Sequence, residues 1–110
     1  MKKKDIVKSS TDFNEILNYN KKVSNNEFII FYMPNKFDNV KFGISAPKKL
    51  GNAVLRNKCK RRLRMLIDEC NFLFNKGRNY IIIIKKGFLS LNYADNLNSL
   101  KKLIGGINEK

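Results

Sequence analysis

The run Tyr80-Ile81-Ile82-Ile83-Ile84, set between Asn79 and Lys85, constrains the fold more than any other segment. It is too short for a buried helix, and four consecutive β-branched side chains suit a pleated surface, so it predicts a strand. No polar residue alternates with the isoleucines. Both faces must therefore be covered, which places the strand at the centre of a sheet with helices packed on it.

The rest of the chain supplies those layers. After a loop marked by Pro47 and Gly51, the residues Leu55, Cys59, Leu63, Leu66, Ile67, Cys70, Leu73 and Phe74 form one stripe on a long helix, within about a third of its circumference. Lys76-Gly77 is expected to close that helix as a C-terminal cap. An earlier amphipathic helix is predicted from Ser10, through Phe13, Ile16 and Leu17, to about Asn20. Phe28 to Met33, and Val40, Phe42 and Ile44 alternating with Lys41, Gly43 and Ser45, predict two antiparallel strands, and a short extra strand is allowed near Ile6 to Lys8. In the tail, Asn92 and Asp95 form an approximate capping pair. Leu97, Leu100, Leu103 and Ile104 then give a last helix, expected to end at Gly105-Gly106.

A chain of 110 residues with 43% apolar content can bury one core but not two, so one domain is expected. Its 23 Lys and Arg against nine Asp and Glu give a net charge of +14, which calls for a polyanionic partner. A membrane is disfavoured, because no apolar run approaches the ~20 residues that span a bilayer. Met1-Lys2-Lys3-Lys4 resembles the charged start of a signal peptide, but Asp5, Lys8, Asp12 and Glu15 interrupt what would be its apolar core, so a cytoplasmic protein is expected. Cys59 and Cys70, on one helix, stand roughly 16 Å apart against the ~7 Å limit for a disulfide. With no His, an ordinary zinc site lacks ligands, and buried apolar thiols are expected.

The charge is concentrated. No acidic residue lies between Asp38 and Asp68, while Lys41, Lys48, Lys49, Arg56, Lys58, Lys60, Arg61, Arg62 and Arg64 do. On the long helix the apolar stripe leaves Asn57, Lys58, Lys60, Arg61 and Arg64 over the opposite face with no acid for i,i+4 pairing. A solvated helix normally mixes its signs, so this face is read as a phosphate-binding surface with strong salt dependence and little sequence preference.

The wording of Phe42-Gly43-Ile44-Ser45-Ala46-Pro47-Lys48-Lys49-Leu50-Gly51-Asn52-Ala53-Val54-Leu55-Arg56-Asn57-Lys58-Cys59-Lys60-Arg61-Arg62-Leu63-Arg64 closely resembles the signature of the bacterial ribonuclease P protein. The resemblance covers essentially the whole chain, more weakly outside this segment. It implies an α/β sandwich: a single mixed sheet of about four strands with helices packed on it, in the order α-β-β-β-α-β-α or close to it. It also implies a left-handed crossover through the main helix, against the usual right-handed rule. Residues 1–110 then form one RNA-binding domain, with 1–8 a basic, flexible tail.

The family's basic Arg-Asn-Arg motif stands here as Arg56-Asn57-Lys58, which keeps the third charge but not its guanidinium fork. With Lys60, Arg61, Arg64 and the loop pair Lys48 and Lys49, these residues are implied to bind the catalytic RNA. Leader binding is implied for Phe13, for Leu17 where relatives carry a second aromatic, and for Phe31 where relatives often carry Tyr. Read without the resemblance, all three are ordinary core residues.

Protein-based catalysis is not expected, because there is no His and the acids are scattered, the neighbours Asp68 and Glu69 diverging by about 100° on a helix. The resemblance implies instead a subunit of an endoribonuclease whose RNA component, with Mg²⁺ held mainly by that RNA, removes the 5′ leader from precursor tRNA. The implied partners are the catalytic RNA and precursor tRNA, with no membrane and no DNA. A ribosomal protein or RNA chaperone would share the charge but not the Phe42 to Arg64 string. A DNA-binding module would have to read bases with Arg56, Asn57 and Lys58.

Overall fold

The structure is a computed structural model that describes residues 6, 7 and 9–108. Four strands, β1 (Lys22–Ser24), β2 (Phe28–Pro34), β3 (Val40–Ser45) and β4 (Arg78–Ile84), form one sheet in the order β1-β2-β4-β3. Four helices accompany them: α1 (Ser10–Tyr19), α2 (Ala53–Glu69), the one-turn α3 (Gly87–Ser90) and α4 (Tyr93–Asn108).

The isoleucine strand is central, as its composition requires. β4 pairs antiparallel with β2 and parallel with β3. The expected β2–β3 pairing is therefore corrected: the two strands run in opposite directions, but β4 lies between them and covers its own flanks with both. The chain passes from β3 to its parallel neighbour β4 through α2, the strand–helix–strand unit foreseen. β1 is a three-residue edge strand made possible by the turn that follows it, where Asn25 Oδ1 accepts the N–H groups of Glu27 (3.0 Å) and Phe28 (2.8 Å). Of the extra strand near Ile6 to Lys8, the bridge of Ile6 to Phe42 is present, with Val7 N–H donating to Phe42 O at 2.9 Å. Residues 1–5 and 8 of the expected tail lie outside the described residues.

The helix starts follow their caps. Ser9 Oγ accepts from Thr11 and Asp12 N–H at α1, Asn52 Oδ1 from Leu55 N–H at α2, and Asn92 Oδ1 from Asp95 N–H at α4. Two helix ends differ from expectation. α2 stops at Glu69, and a 3₁₀ turn, Asn71–Leu73, carries the chain on. Gly77, at φ +82°, shapes the turn into β4 by donating to Asn39 O (2.8 Å) rather than capping the helix. α4 continues through Gly105-Gly106 to Asn108, because Ile107 is buried and Asn108 Nδ2 donates to Leu73 O.

The core lies between α2, α4 and one face of the sheet. Phe28, Ile30, Phe42, Tyr80, Ile82 and Ile84 meet Cys59, Leu63, Leu66, Leu100 and Ile104 there. Phe74 stands edge-on to both Phe42 and Tyr80, with ring centres 4.8 and 4.9 Å away. Among the described residues no helix is long and apolar enough to cross a membrane.

Candidate nucleic-acid interface

Residues opposite one another in a sheet project to the same side, so the register assigns every strand residue to a face. Opposite the core face runs the row Lys22, Phe31, Ile81, Gly43. α1 lies across this second face and buries Ile16 and Ile81 completely. The ring of Phe13 lies directly on β3: a Cβ at Gly43 would stand 3.0 Å from Phe13 Cε2 and 3.2 Å from Ile81 Cγ1. Glycine inside this strand is what lets the ring approach the backbone.

The three residues singled out for leader binding belong to this face. Phe13 and Leu17 lie one helical turn apart on α1, and Phe31 is on β2. Each is half-buried, and none belongs to the main core cluster.

The basic residues occupy two neighbouring places. Lys48 and Lys49 are exposed on a 3₁₀ turn, Lys48–Leu50, anchored by the buried Leu50. On α2, Asn57, Lys58, Arg61 and Arg64 are exposed, while Arg56 and Lys60 are half-buried at the margin of the apolar stripe. Arg56 braces the fold as well, since its Nε donates to Ala46 O at 2.8 Å, tying the start of α2 to the end of β3. Arg56, Lys60 and Arg64 follow one another at i, i+4 and i+8 and so make one flank of the helix. That flank reaches the second face, where Arg64 lines a crevice of about 120 Å³ with Ile6, Val7, Phe13, Phe42, Gly43 and Ile44. Arg64 and Phe13, assigned above to two different RNAs, thus meet at the β3 edge.

The cysteines are buried and unpaired. Burial pushes the Cys59 thiol up despite the opposing Arg62 and Lys58, and pushes Cys70 up to about 11. Both are neutral packing groups at ordinary pH. Among the described residues no three of His, Cys, Asp and Glu come together where they could hold a metal ion.

Comparison with known proteins places this geometry. The family model "Ribonuclease P" matches residues 1–108. The chain belongs to the ribonuclease P protein family. A ribonuclease P protein component from Mycoplasma mycoides subsp. mycoides is 44% identical over 105 residues, spanning 94% of this chain and 96% of the relative. One from Streptococcus agalactiae is 38% identical over 109 residues, spanning 96% and 98%. Among solved structures, the Staphylococcus aureus RNase P protein superposes with a TM-score of 0.82 at 31% identity, covering 92% of this chain and 93% of that one. The RNase P protein from Thermotoga maritima gives 0.77 at 27% identity, covering 84% and 88%.

Two residues of the second face in this ribonuclease P protein, Gly43 and Lys22, are not marked by the sequence as parts of the site. Gly43 lies inside the signature, and the one signal it carries is general: a glycine inside a strand marks a close approach. Nothing in the local sequence of Lys22 distinguishes it from the chain's other lysines.

Proposed function

We propose that this chain is the protein subunit of the ribonuclease P ribonucleoprotein and assists the catalytic RNA in endonucleolytic removal of the 5′ leader from precursor tRNA. Besides family membership, the observation that supports this most is the meeting of Arg64 with Phe13 in one crevice at the β3 edge. It joins a phosphate-binding helix face to an aromatic platform, the combination that single-stranded nucleic acid requires.

In this reading Lys48, Lys49, Arg56, Asn57, Lys58, Lys60, Arg61 and Arg64 bind the RNA subunit, its cations displacing counterions from the phosphates. Phe13, Leu17 and Phe31 hold the leader on the second face, so that the scissile bond is positioned. Hydrolysis of the phosphodiester, leaving a 5′-phosphate on the mature tRNA, is the work of the RNA subunit. The Mg²⁺ it uses is held mainly by the RNA, and the protein strengthens divalent-ion and substrate binding by lowering phosphate repulsion. The chain acts in the cytoplasm as one RNA-binding domain, with neither membrane nor DNA as partner.

Reconstitution tests the reading directly. The purified protein mixed with a ribonuclease P RNA at low Mg²⁺ should remove the leader from a precursor tRNA that neither component processes alone. A protein that leaves the RNA's activity and substrate affinity unchanged under those conditions is not this subunit.

A further inference from the structure

Phe31, proposed above to stack on the leader, already carries a cation. Lys22 on β1 is its cross-strand partner, and the Lys22 ammonium stands 5.5 Å from the centre of the Phe31 ring. Lys22 is exposed, so this cation–π contact is weak and readily exchanged. Lysine on an edge strand also discourages pairing between molecules, but that role needs only a charge directed into solvent and does not account for an ammonium seated on a ring.

The position of Lys22 on the second face suggests more. The row Lys22, Phe31, Ile81, Gly43 crosses the whole sheet, a span of about 14 Å at the usual strand spacing. At its β3 end Arg64 stands beside the Phe13 ring that covers Gly43. At its β1 end Lys22 stands over Phe31. Each edge of the face therefore offers one aromatic ring with one cation beside it, a spacing that suits a strand of bases and phosphates laid across the sheet.

We propose that Lys22 is a phosphate-binding residue of the leader groove. An arriving base takes the place of the ammonium on the Phe31 ring, and the displaced ammonium pairs with a phosphate of the same strand. The exchange substitutes a stack and a charge pair for one weak contact, and leaves neither ring nor cation without a partner. The inference rests on the leader-groove reading, and it adds that the leader must be long enough to reach β1.

The test uses holoenzyme reconstituted with a ribonuclease P RNA and three ligands: precursor tRNA with a full leader, precursor with a one-nucleotide leader, and mature tRNA. Lys22→Gln should weaken binding of the full-leader precursor alone and lower its slope of log affinity against log salt by about 0.7, the value for one phosphate of a single strand. Lys22→Arg should restore both, and the melting temperature should not move. An unchanged slope in Lys22→Gln, while Phe31→Ala still weakens the full-leader precursor, overturns the role of Lys22 and leaves the groove standing. Equal loss for all three ligands also overturns it, because the contact is then not with the leader. If Phe13→Ala and Phe31→Ala both leave the full-leader precursor unaffected, the groove reading fails and Lys22 falls with it.

Discussion

A missing methyl group shapes the aromatic platform. With a Cβ at Gly43 only 3.0 Å from Phe13 Cε2, Gly43→Ala forces the ring to lift by a few tenths of an ångström or β3 to shift beneath it. Such overpacking is expected to cost on the order of 1–3 kcal/mol in stability, read from denaturant unfolding, and to weaken precursor binding. An unaltered stability would mean that the ring is not held against the strand. The rings themselves make a separate prediction. Phe13→Ala and Phe31→Ala should each lose on the order of 1–3 kcal/mol of precursor binding with mature tRNA unaffected, because only the precursor offers leader bases to stack. Were these residues ordinary core, truncation would remove about 3–5 kcal/mol of folding stability and weaken every RNA equally. Leu17→Phe, which adds a ring one helical turn from Phe13, should strengthen the precursor alone. Affinities for both tRNA forms, taken with the melting temperature, separate these cases.

At the level of elements, α2 works on two sides. Its buried side holds Cys59, Leu63, Leu66 and Ile67 against the sheet, and its other side carries cations without a neighbouring acid until Asp68. Lys60→Ala, Arg61→Ala and Arg64→Ala should each weaken assembly with the RNA subunit and lower its salt slope by about one counterion. An unchanged slope in the triple variant, with the circular dichroism of a folded protein, would remove this face from the interface. The face was legible in the sequence because an absence of acids over the twenty-nine positions between Asp38 and Asp68 is visible without coordinates. The end of α2 was not: Phe74 stays in phase with the helical stripe and is buried, yet it reaches the core from beyond a 3₁₀ turn. Periodicity records the need for burial, not the backbone that achieves it. Gly105-Gly106 misled for the same reason, since the burial of Ile107 outweighs the helix-breaking tendency of two glycines. β1 has only Val23 facing the core and depends on Asn25 and the β2 edge, so its three residues carry no signal of their own. Phe13 and Phe31 came from resemblance, whereas Gly43 and Lys22 depend on register, which is settled only when β4 enters between β2 and β3.

For the whole molecule, the charge of +14 and the absence of histidine point the same way. Phosphate repulsion within a folded RNA is what such a particle can relieve, and among the described residues no three His, Cys, Asp or Glu side chains gather where they could hold a metal ion. Glu69 Oε2 accepts a hydrogen bond from Tyr93 Oη at 2.9 Å, and Glu27 Oε1 accepts one from Ser99 Oγ at 2.7 Å. Both carboxylates are engaged in holding α4, one to the end of α2 and one to the start of β2. Asp12 and Glu15 line the wider cleft beneath α1, about 580 Å³, but among the described residues their neighbours there are carboxamides, apolar side chains, Ser9, Lys36 and Lys41, not a third carboxylate. A rigorously RNA-free preparation should therefore leave precursor tRNA intact at any Mg²⁺ concentration, and should gain cleavage only when the RNA subunit is added. Cleavage by the protein alone, abolished by Asp12→Asn or Glu15→Gln, would place an active site in that cleft and reverse the division of labour. The same preparation offers a second readout. Because the RNA binds the folded chain, its addition should raise the melting temperature, and that increment should shrink steeply as salt rises. A nuclease holding substrate through a few local contacts would show a shallow salt dependence, whereas a subunit whose cations line one flank of α2 and both edges of the second face must show a steep one.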